Sequence, residues 1–427
     1  MTTHELAPAA DSAWTQPSDT AFDRSPLRLS WLHPAGLLGL SVVNFVLRFV
    51  TLGLYSFWGK TEVRKRLWSA IRLEGEPLNY SGTGKELFLG FLVIFGAVLL
   101  PMLLASVGIY LAFGEDGARL FNLILYPVIF FLIGIGTYRA QRYRLTRTSW
   151  RGIRGALTGS DTRYAWTYIW TALLLPFTLG WIAPWRATKL QKIMTEDTRF
   201  GDRPLTFTAD AGPLYKRFAV MWFVTLAALL GVLTYFGGSL FLEFANPDRM
   251  ANPSPEDKYR LGMLFVSVYV GLLLVYLVYY LLSAWYRAKA TQHYAAHTHF
   301  EGATFSSTVT GPGFVRLAIG NFLITMSAIT IGLIMTALIV YGLSSIIGGE
   351  TEGQINVGGQ IAGFVAVLML VASAGLFAPI VQARSWRYLI QNLKLNGSVP
   401  LGQISQAAEQ KMSRGEGLAQ AFDIDGF

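Results

Sequence analysis

Arg48 follows Asn44 by one helical turn inside a stretch, Leu37 to Trp58, that is otherwise largely apolar. An arginine at membrane depth is costly and by default marks a solute or proton pathway. The competing account is that a shallow segment lets its guanidinium reach the head groups along the aliphatic stem. Asn321 precedes Phe322 as Asn44 precedes Phe45. That slot suggests a shared capping or helix-contact duty. Asn44, Arg48 and Asn321 are therefore the candidate pathway residues. A second set is basic: Arg64, Lys65, Arg66, Lys192, Arg384 and Arg387 have the chemistry to hold anionic lipid head groups. Simple topological anchoring accounts for them as well.

Other chemistry is sparse. His293 and His297 are four apart and can share a helical face as metal ligands. However, His297-Thr298-His299-Phe300-Glu301-Gly302 fills a slot held elsewhere by Asp197-Thr198-Arg199-Phe200-Gly201, which has no histidine. The expectation is a structural or solvated role, with no metal and no cofactor. There is no Gly-x-Ser-x-Gly elbow, Walker loop or His-Glu-x-x-His, and no paired carboxylate within an apolar span. The absence of cysteine excludes disulfides, thiol catalysis and cysteine-ligated zinc. The sequence predicts no enzyme.

The elements that must position these residues are repeated ones. Thr51-Leu52-Gly53 running to Trp58 is matched without a gap by Thr178-Leu179-Gly180 running to Trp185. The same alignment pairs Thr61 with Thr188, Lys65 with Lys192, and Pro77-Leu78 with Pro204-Leu205. A looser third copy runs from Asn321 through Thr330-Ile331-Gly332 and resumes at Ala378-Pro379, with Ile380 where the others have tryptophan. The chain divides into repeats at 27–164, 165–311 and 312–405, flanked by a disordered polar tail, 1–26, and a second polar tail, 406–427.

Charged residues make up 14 % of the 427, against roughly 25 % in soluble proteins. Apolar residues make up 52 %. The class is an all-α polytopic membrane protein with internal repeats. A formal charge of +9 reads as inner-leaflet anchoring; no basic soluble domain exists to bind nucleic acid. Six segments are long enough to cross: Leu87–Phe113, Leu120–Tyr138, Phe218–Phe244, Leu261–Tyr286, Leu317–Ile347 and Ile361–Val381. The two signature segments, Leu37–Trp58 and Ala165–Trp185, are broken by residues such as Gly53, Pro176 and Gly180.

Loop charge bears on which segments cross. Basic runs lie at Lys60–Arg72, Arg139–Arg154, Arg186–Arg203, Arg287–Lys289 and Arg384–Lys394, and the other loops are acidic or balanced. All five basic runs fall in the cytoplasm only if both signature segments are re-entrant or shallow, which protein or a wet cavity must then shield. The layout is six full crossings plus two such segments, with both termini inside. Eight ordinary spans, with one breach of the charge rule, is the alternative.

After each basic run comes a polar phrase around a glycine, most fully Arg72 to Gly84, with relatives at Thr148–Gly159, Thr198–Phe207 and Thr298–Gly311. Alternation about the glycine predicts two short strands and a tight turn. Leu395-Asn396-Gly397 and Leu27 to Trp31 read as halves of further copies. The hairpins either pair into one cytoplasmic sheet or lie separately on the bilayer, anchored by Trp31, Trp68, Tyr80 and Trp150.

The phrases Thr51-Leu52-Gly53-Leu54-Tyr55-Ser56-Phe57-Trp58-Gly59-Lys60 and Tyr80-Ser81-Gly82-Thr83-Gly84-Lys85-Glu86-Leu87 closely resemble the YjgN-like family of bacterial inner-membrane proteins. So does Arg147 to Arg154. The resemblance implies a multi-pass cytoplasmic-membrane protein and carries over no catalytic residue, because that family has no known function. Two functions fit the sequence: a transporter or channel with the broken segments lining its path, or a scaffold whose hairpins recruit a protein or lipid partner. A lipid-modifying enzyme lacks the residues for its chemistry.

Overall fold

The computed structural model describes residues 27–245, 254–347, 363–369, 373 and 375–406. The tail 1–26, the loop segment Glu350–Glu352, part of the Ile361–Val381 span and all but Gln406 of the tail 406–427 lie outside the described residues.

One rule organises the architecture: each helical hairpin leaves from one strand and returns to the strand beside it. β1 (Leu29–Trp31) leads into α1 (Leu37–Val50) and α2 (Ser56–Ala70), which ends at β2 (Ile71–Leu73). β3 (Glu76–Pro77) and β4 (Asn79–Tyr80) lead into α3 (Gly84–Ile94), a π-turn and α4 (Leu100–Thr146), ending at β5 (Thr148–Trp150). β6 (Ile153–Leu157) leads through α5 (Asp161–Phe177) and α6 (Ala183–Glu196) to β7 (Thr198–Phe200). β8 (Arg203–Phe207) leads through α7 (Gly212–Val232), α8 (Gly238–Phe244) and α9 (Pro255–Ala296) to β9 (Thr298–Phe300). β10 (Ala303–Ser307) leads through α10 (Gly311–Ile347) and α11 (Ala378–Gln391) to β11 (Leu393–Asn396).

The register makes the rule quantitative. Trp31 sits opposite Ile71, Tyr80 opposite Thr148, Leu157 opposite Thr198, Phe207 opposite Thr298, and Ser307 opposite Leu393. Both ends of every helical hairpin are thus pinned to one face. The 63-residue helical run Gly84–Thr146 must double back to satisfy this, and it breaks at Gly114 (φ 64°), where Arg119 pairs with Glu115 and Asp116 at 3.0 and 3.3 Å.

The strands form an antiparallel meander in chain order, β4 to β11, with β1-β2-β3 as a second sheet. Only Leu78 separates β3 from β4, and its N–H donates to the Ile71 carbonyl at 3.0 Å. The hairpins therefore pair with one another; they do not lie separately on a bilayer. Trp68, Tyr80 and Trp150 are buried within the protein, not offered as anchors. Turns Glu74-Gly75 and Arg151-Gly152 have positive φ at both positions, the type I′ geometry that matches strand twist. Leu73, Ile153, Phe200, Phe300, Leu395 and Leu27 converge on one apolar core. The segment after β11 closes that core with Val399 and Ile404, and Ser405 and Asp202 exchange two hydrogen bonds of 3.1 Å.

Helix length separates the hairpins into two classes. Among the described residues, four helical stretches are long and apolar enough to cross a membrane: Gly84–Thr146, Gly212–Phe244, Pro255–Ala296 and Gly311–Gly342. Their apolar side chains point outward; Leu111, Leu123, Phe241 and Leu338 are 62–78 % exposed. A soluble monomer does not tolerate so extensive an apolar surface, so lipid must cover it. This is a membrane protein. The hairpins α1–α2 and α5–α6 are shorter: α1 has 14 residues and α5 has 17. At 1.5 Å per residue they reach about 21 and 26 Å, less than the roughly 30 Å hydrocarbon layer.

Candidate functional site

The repeated Thr-Leu-Gly is a helix stop followed by a tight return. At the end of α1 the Gly53 N–H donates to the Arg48 carbonyl at 2.7 Å and the Leu52 N–H to Phe49 at 3.2 Å. At the end of α5, Gly180 donates to Leu175 at 2.7 Å and Leu179 to Pro176 at 3.2 Å. This paired pattern is the Schellman motif, with leucine in the left-handed position (φ 50° and 47°). Thr51 and Thr178 bond back to Leu47 and Leu174 at 2.6 and 2.9 Å. The signature residues therefore shape two elbows. Trp58 packs on Phe88, and Trp185 on Trp170.

Asn44 lies on the inner face of the first elbow, 3 % exposed, and neither end of its amide has a hydrogen-bond partner. It fits only because Gly59 opposes it: a Cβ there would stand 3.0 Å from the Asn44 amide carbon and oxygen. Arg48, one turn on, is half-buried. Asn321 is fully engaged instead, donating to the Ser385 hydroxyl at 3.0 Å and accepting from Arg384 Nε at 3.3 Å.

Asn321 also lines a cavity of about 430 Å³ where α2, α4, α9, α10 and α11 meet. Three arginines reach it from three helices: Arg64, Arg144 and Arg287. No Asp or Glu is among its described lining residues. Gln382, Ser385 and Ser283 add neutral polar groups, while Leu317, Val381 and Leu389 form an apolar wall. Trp68 and Trp386 close one side with ring centroids 4.7 Å apart. Arg64 is 8 % exposed, an unusual depth for a guanidinium. Burial pushes the nearby Tyr80 phenol above its usual range, while the charges of Arg64 and Arg144 pull it down; both arginines thus face one spot. A smaller cavity of about 200 Å³ continues along α10, sharing Val381 and Gln382 and adding Thr325 and Ala328.

The structure thus brings Arg64 and Asn321 to one site, with Arg384 bonded to its rim. Asn44 and Arg48 do not line it. The remaining basic candidates lie elsewhere: Lys65 pairs with Glu62 at 3.0 Å, Arg66 donates to the Gly36 carbonyl at 2.9 Å, Lys192 is 3.7 Å from Glu196, and Arg387 is exposed. The histidine rings 293 and 297 do come together, with centroids 4.4 Å apart and planes tilted by 51°. His293 donates to the Asp210 carbonyl and His297 to the His293 carbonyl. His299 contacts Thr304.

Arg144 and Arg287 were missed by sequence reasoning, as were two half-buried clusters. In one, Tyr143 and Arg147 both bond Glu86 at 2.7 Å; in the other, Tyr138 and Arg163 both bond Asp197 at 2.8 Å. Glu86 and Asp197 thus each hold an arginine that does not line the cavity, Arg147 and Arg163.

A family model described as "Bacterial protein of unknown function (DUF898)" matches residues 35–421. The chain belongs to this family. The match starts just before α1 and takes in both elbows, the cavity and the sheet from β2 onward. Inner membrane protein YjgN of Salmonella typhimurium is 26 % identical over 136 residues, covering 32 % of this chain and 32 % of that protein. The resemblance to YjgN-like proteins seen in the sequence is borne out by these two comparisons. The alignment spans about a third of the relative's length. No solved structure matches the chain.

Proposed function

We propose that this is a multi-pass protein of the bacterial inner membrane, built by duplication, that moves a small solute through the arginine-lined cavity. Six crossings and two shallow elbows would place the sheet and both chain ends in the cytoplasm, because the helix ends that meet the sheet carry the basic runs. The relative's name supports the membrane assigned. The reading includes no catalysis. The observation that carries it is the cavity: polar groups from five helices line it, and a second space lies beside it at Val381 and Gln382. Binding sites formed where broken and continuous helices meet suit alternating access.

The test has two arms, and the cysteine-free sequence makes both clean. Single replacements Glu76→Cys and Lys192→Cys should label only from the cytoplasm, and Arg119→Cys only from the periplasm. Labelling of Lys192→Cys from the periplasm overturns the topology. Proteoliposomes loaded with low-molecular-weight cell extract should then lose one component in a protein-dependent way, read by mass spectrometry. Correct topology without any efflux would favour the scaffold reading, which the eight-stranded meander supports.

A further inference from the structure

We infer that residues 397–406 form a detachable latch across the turns of the sheet, which sets the angles between successive helical hairpins and lets them hinge when it lifts. The first argument is where the sheet is narrow. The β5–β6, β7–β8 and β9–β10 turns each join one helical hairpin to the next. Among the described residues, two register pairs hold each of these junctions. In the β7–β8 junction one of the two is Arg199 with Pro204, which has no N–H to give. Strands paired so briefly are marginal by themselves. Hinging between hairpins is therefore easiest at these three places.

The second argument is what the latch touches. It leaves β11 at Gly397 (φ 105°), whose backbone lies against Gly302 in the β9–β10 turn. The bonds between Ser405 and Asp202 fix it to the β7–β8 turn. The Gln406 amide oxygen accepts from the Arg154 N–H at 3.1 Å, beside the β5–β6 turn. One short segment thus spans all three junctions. Between those points its grip is Val399 and Ile404, buried in the core that Ile153, Phe200 and Phe300 help to form. It joins no strand ladder, and Gly402 and Gln403 between its two apolar anchors are exposed. A segment held at points opens at a lower free energy than the strands it ties together. The inference stands apart from the transport reading, because hinging is measured as a distance.

The full chain in nanodiscs tests this in two steps. Val399 is 2 % exposed while the latch is seated, so Val399→Cys should react slowly with a maleimide. Gly201→Ala should speed that reaction tenfold or more, because a Cβ on Gly201 would collide with the Ser405 carbonyl and the Ile404 side chain. Asp202→Ala removes the acceptor of the Ser405 N–H and should act in the same direction; it serves where Gly201→Ala does not fold. Hinging is then read by double electron–electron resonance between spin labels on Ile124→Cys in α4 and Leu274→Cys in α9, two exposed positions. The parent chain should give one narrow distance, and either latch variant a broadened or second one. Slow labelling of Val399→Cys in both variants means a latch that does not lift, and overturns the inference. Fast labelling in the parent chain overturns it too, since the segment is then not seated. An unchanged distance in a variant whose Val399→Cys has become reactive reduces the segment to a cover for the apolar core, and the inference fails.

Discussion

The two elbows share a backbone and differ in what they carry. Both stop a helix with the same Schellman bonds and return through Ser56 or Ala183, whose N–H donates to the turn glycine at 3.0 Å. The second is bolted in place: Trp222 donates to the Leu179 carbonyl at 2.8 Å, and Trp181 packs among Tyr215, Phe218, Trp222 and Phe223. Its buried polar residue, Thr171, satisfies itself by bonding the Thr167 carbonyl. The aligned residue of the first elbow is Asn44, with both amide ends unpartnered. Arg48 and Arg64 likewise stand where the second elbow has Leu175 and Gln191. One copy is wedged by aromatic packing, while the other keeps an orphaned amide at Asn44.

The largest expected asymmetry is at an aligned pair, Gly59 and Arg186. Gly59→Val would drive a side chain into Asn44 and should cost about 3 kcal/mol, as overpacking does. Arg186→Ala removes a cation–π contact over Tyr168, 4.6 Å away, and should cost about 1 kcal/mol. Unfolding in mixed detergent–denaturant series measures both. Equal losses would mean that the Asn44–Gly59 contact is not special to the first elbow.

A smaller effect, and of opposite sign, is expected from exchanging the buried polar residues. Asn44→Thr replaces an orphaned amide with a hydroxyl that can bond back along its own helix. It should stabilise the protein by about 1 kcal/mol while reducing flux. Thr171→Asn should destabilise by about 2 kcal/mol, since it brings an unpaired amide into a fully buried site. If Asn44→Thr lowers stability instead, the amide has a structural role, and the contrast between the elbows fails.

The elbows and the sheet hairpins were legible because each needs a residue type at one place. Gly53, Gly75, Gly152 and Gly180 occupy left-handed backbone, and the polar and apolar residues around them alternate or stop accordingly. The cavity was not legible. Arg64, Arg144 and Arg287 each sit in a basic run whose other members face solvent or pair locally, and sequence does not bring three distant helices together. One signal was present: Phe57, Thr61, Arg64 and Trp68 recur at helical spacing and are all buried, whereas Lys65 and Arg66 fall out of phase. Reading the phase of α2, not the charge of its run, would have separated Arg64 from its neighbours. Asn321 bonds Ser385 and Arg384 on α11, and nothing in its slot revealed the cavity beside it.

The smallest predicted effect tests the part of the comparison that claims sameness. Gly53 and Gly180 have φ of 90° and 80°, and a Cβ at either would meet nothing within 4 Å. Substitution there is opposed by backbone conformation alone. Gly53→Ala and Gly180→Ala should therefore each cost about 1 kcal/mol, with no difference between them. The preceding leucines already bear such a penalty, so the glycine is the residue that limits strain in each turn. A markedly larger loss at Gly180 would show that its tryptophan cluster depends on the exact path of the turn. A loss confined to Gly53 would show that the first elbow bends in use, because only a moving turn makes its flexibility matter beyond the resting conformation.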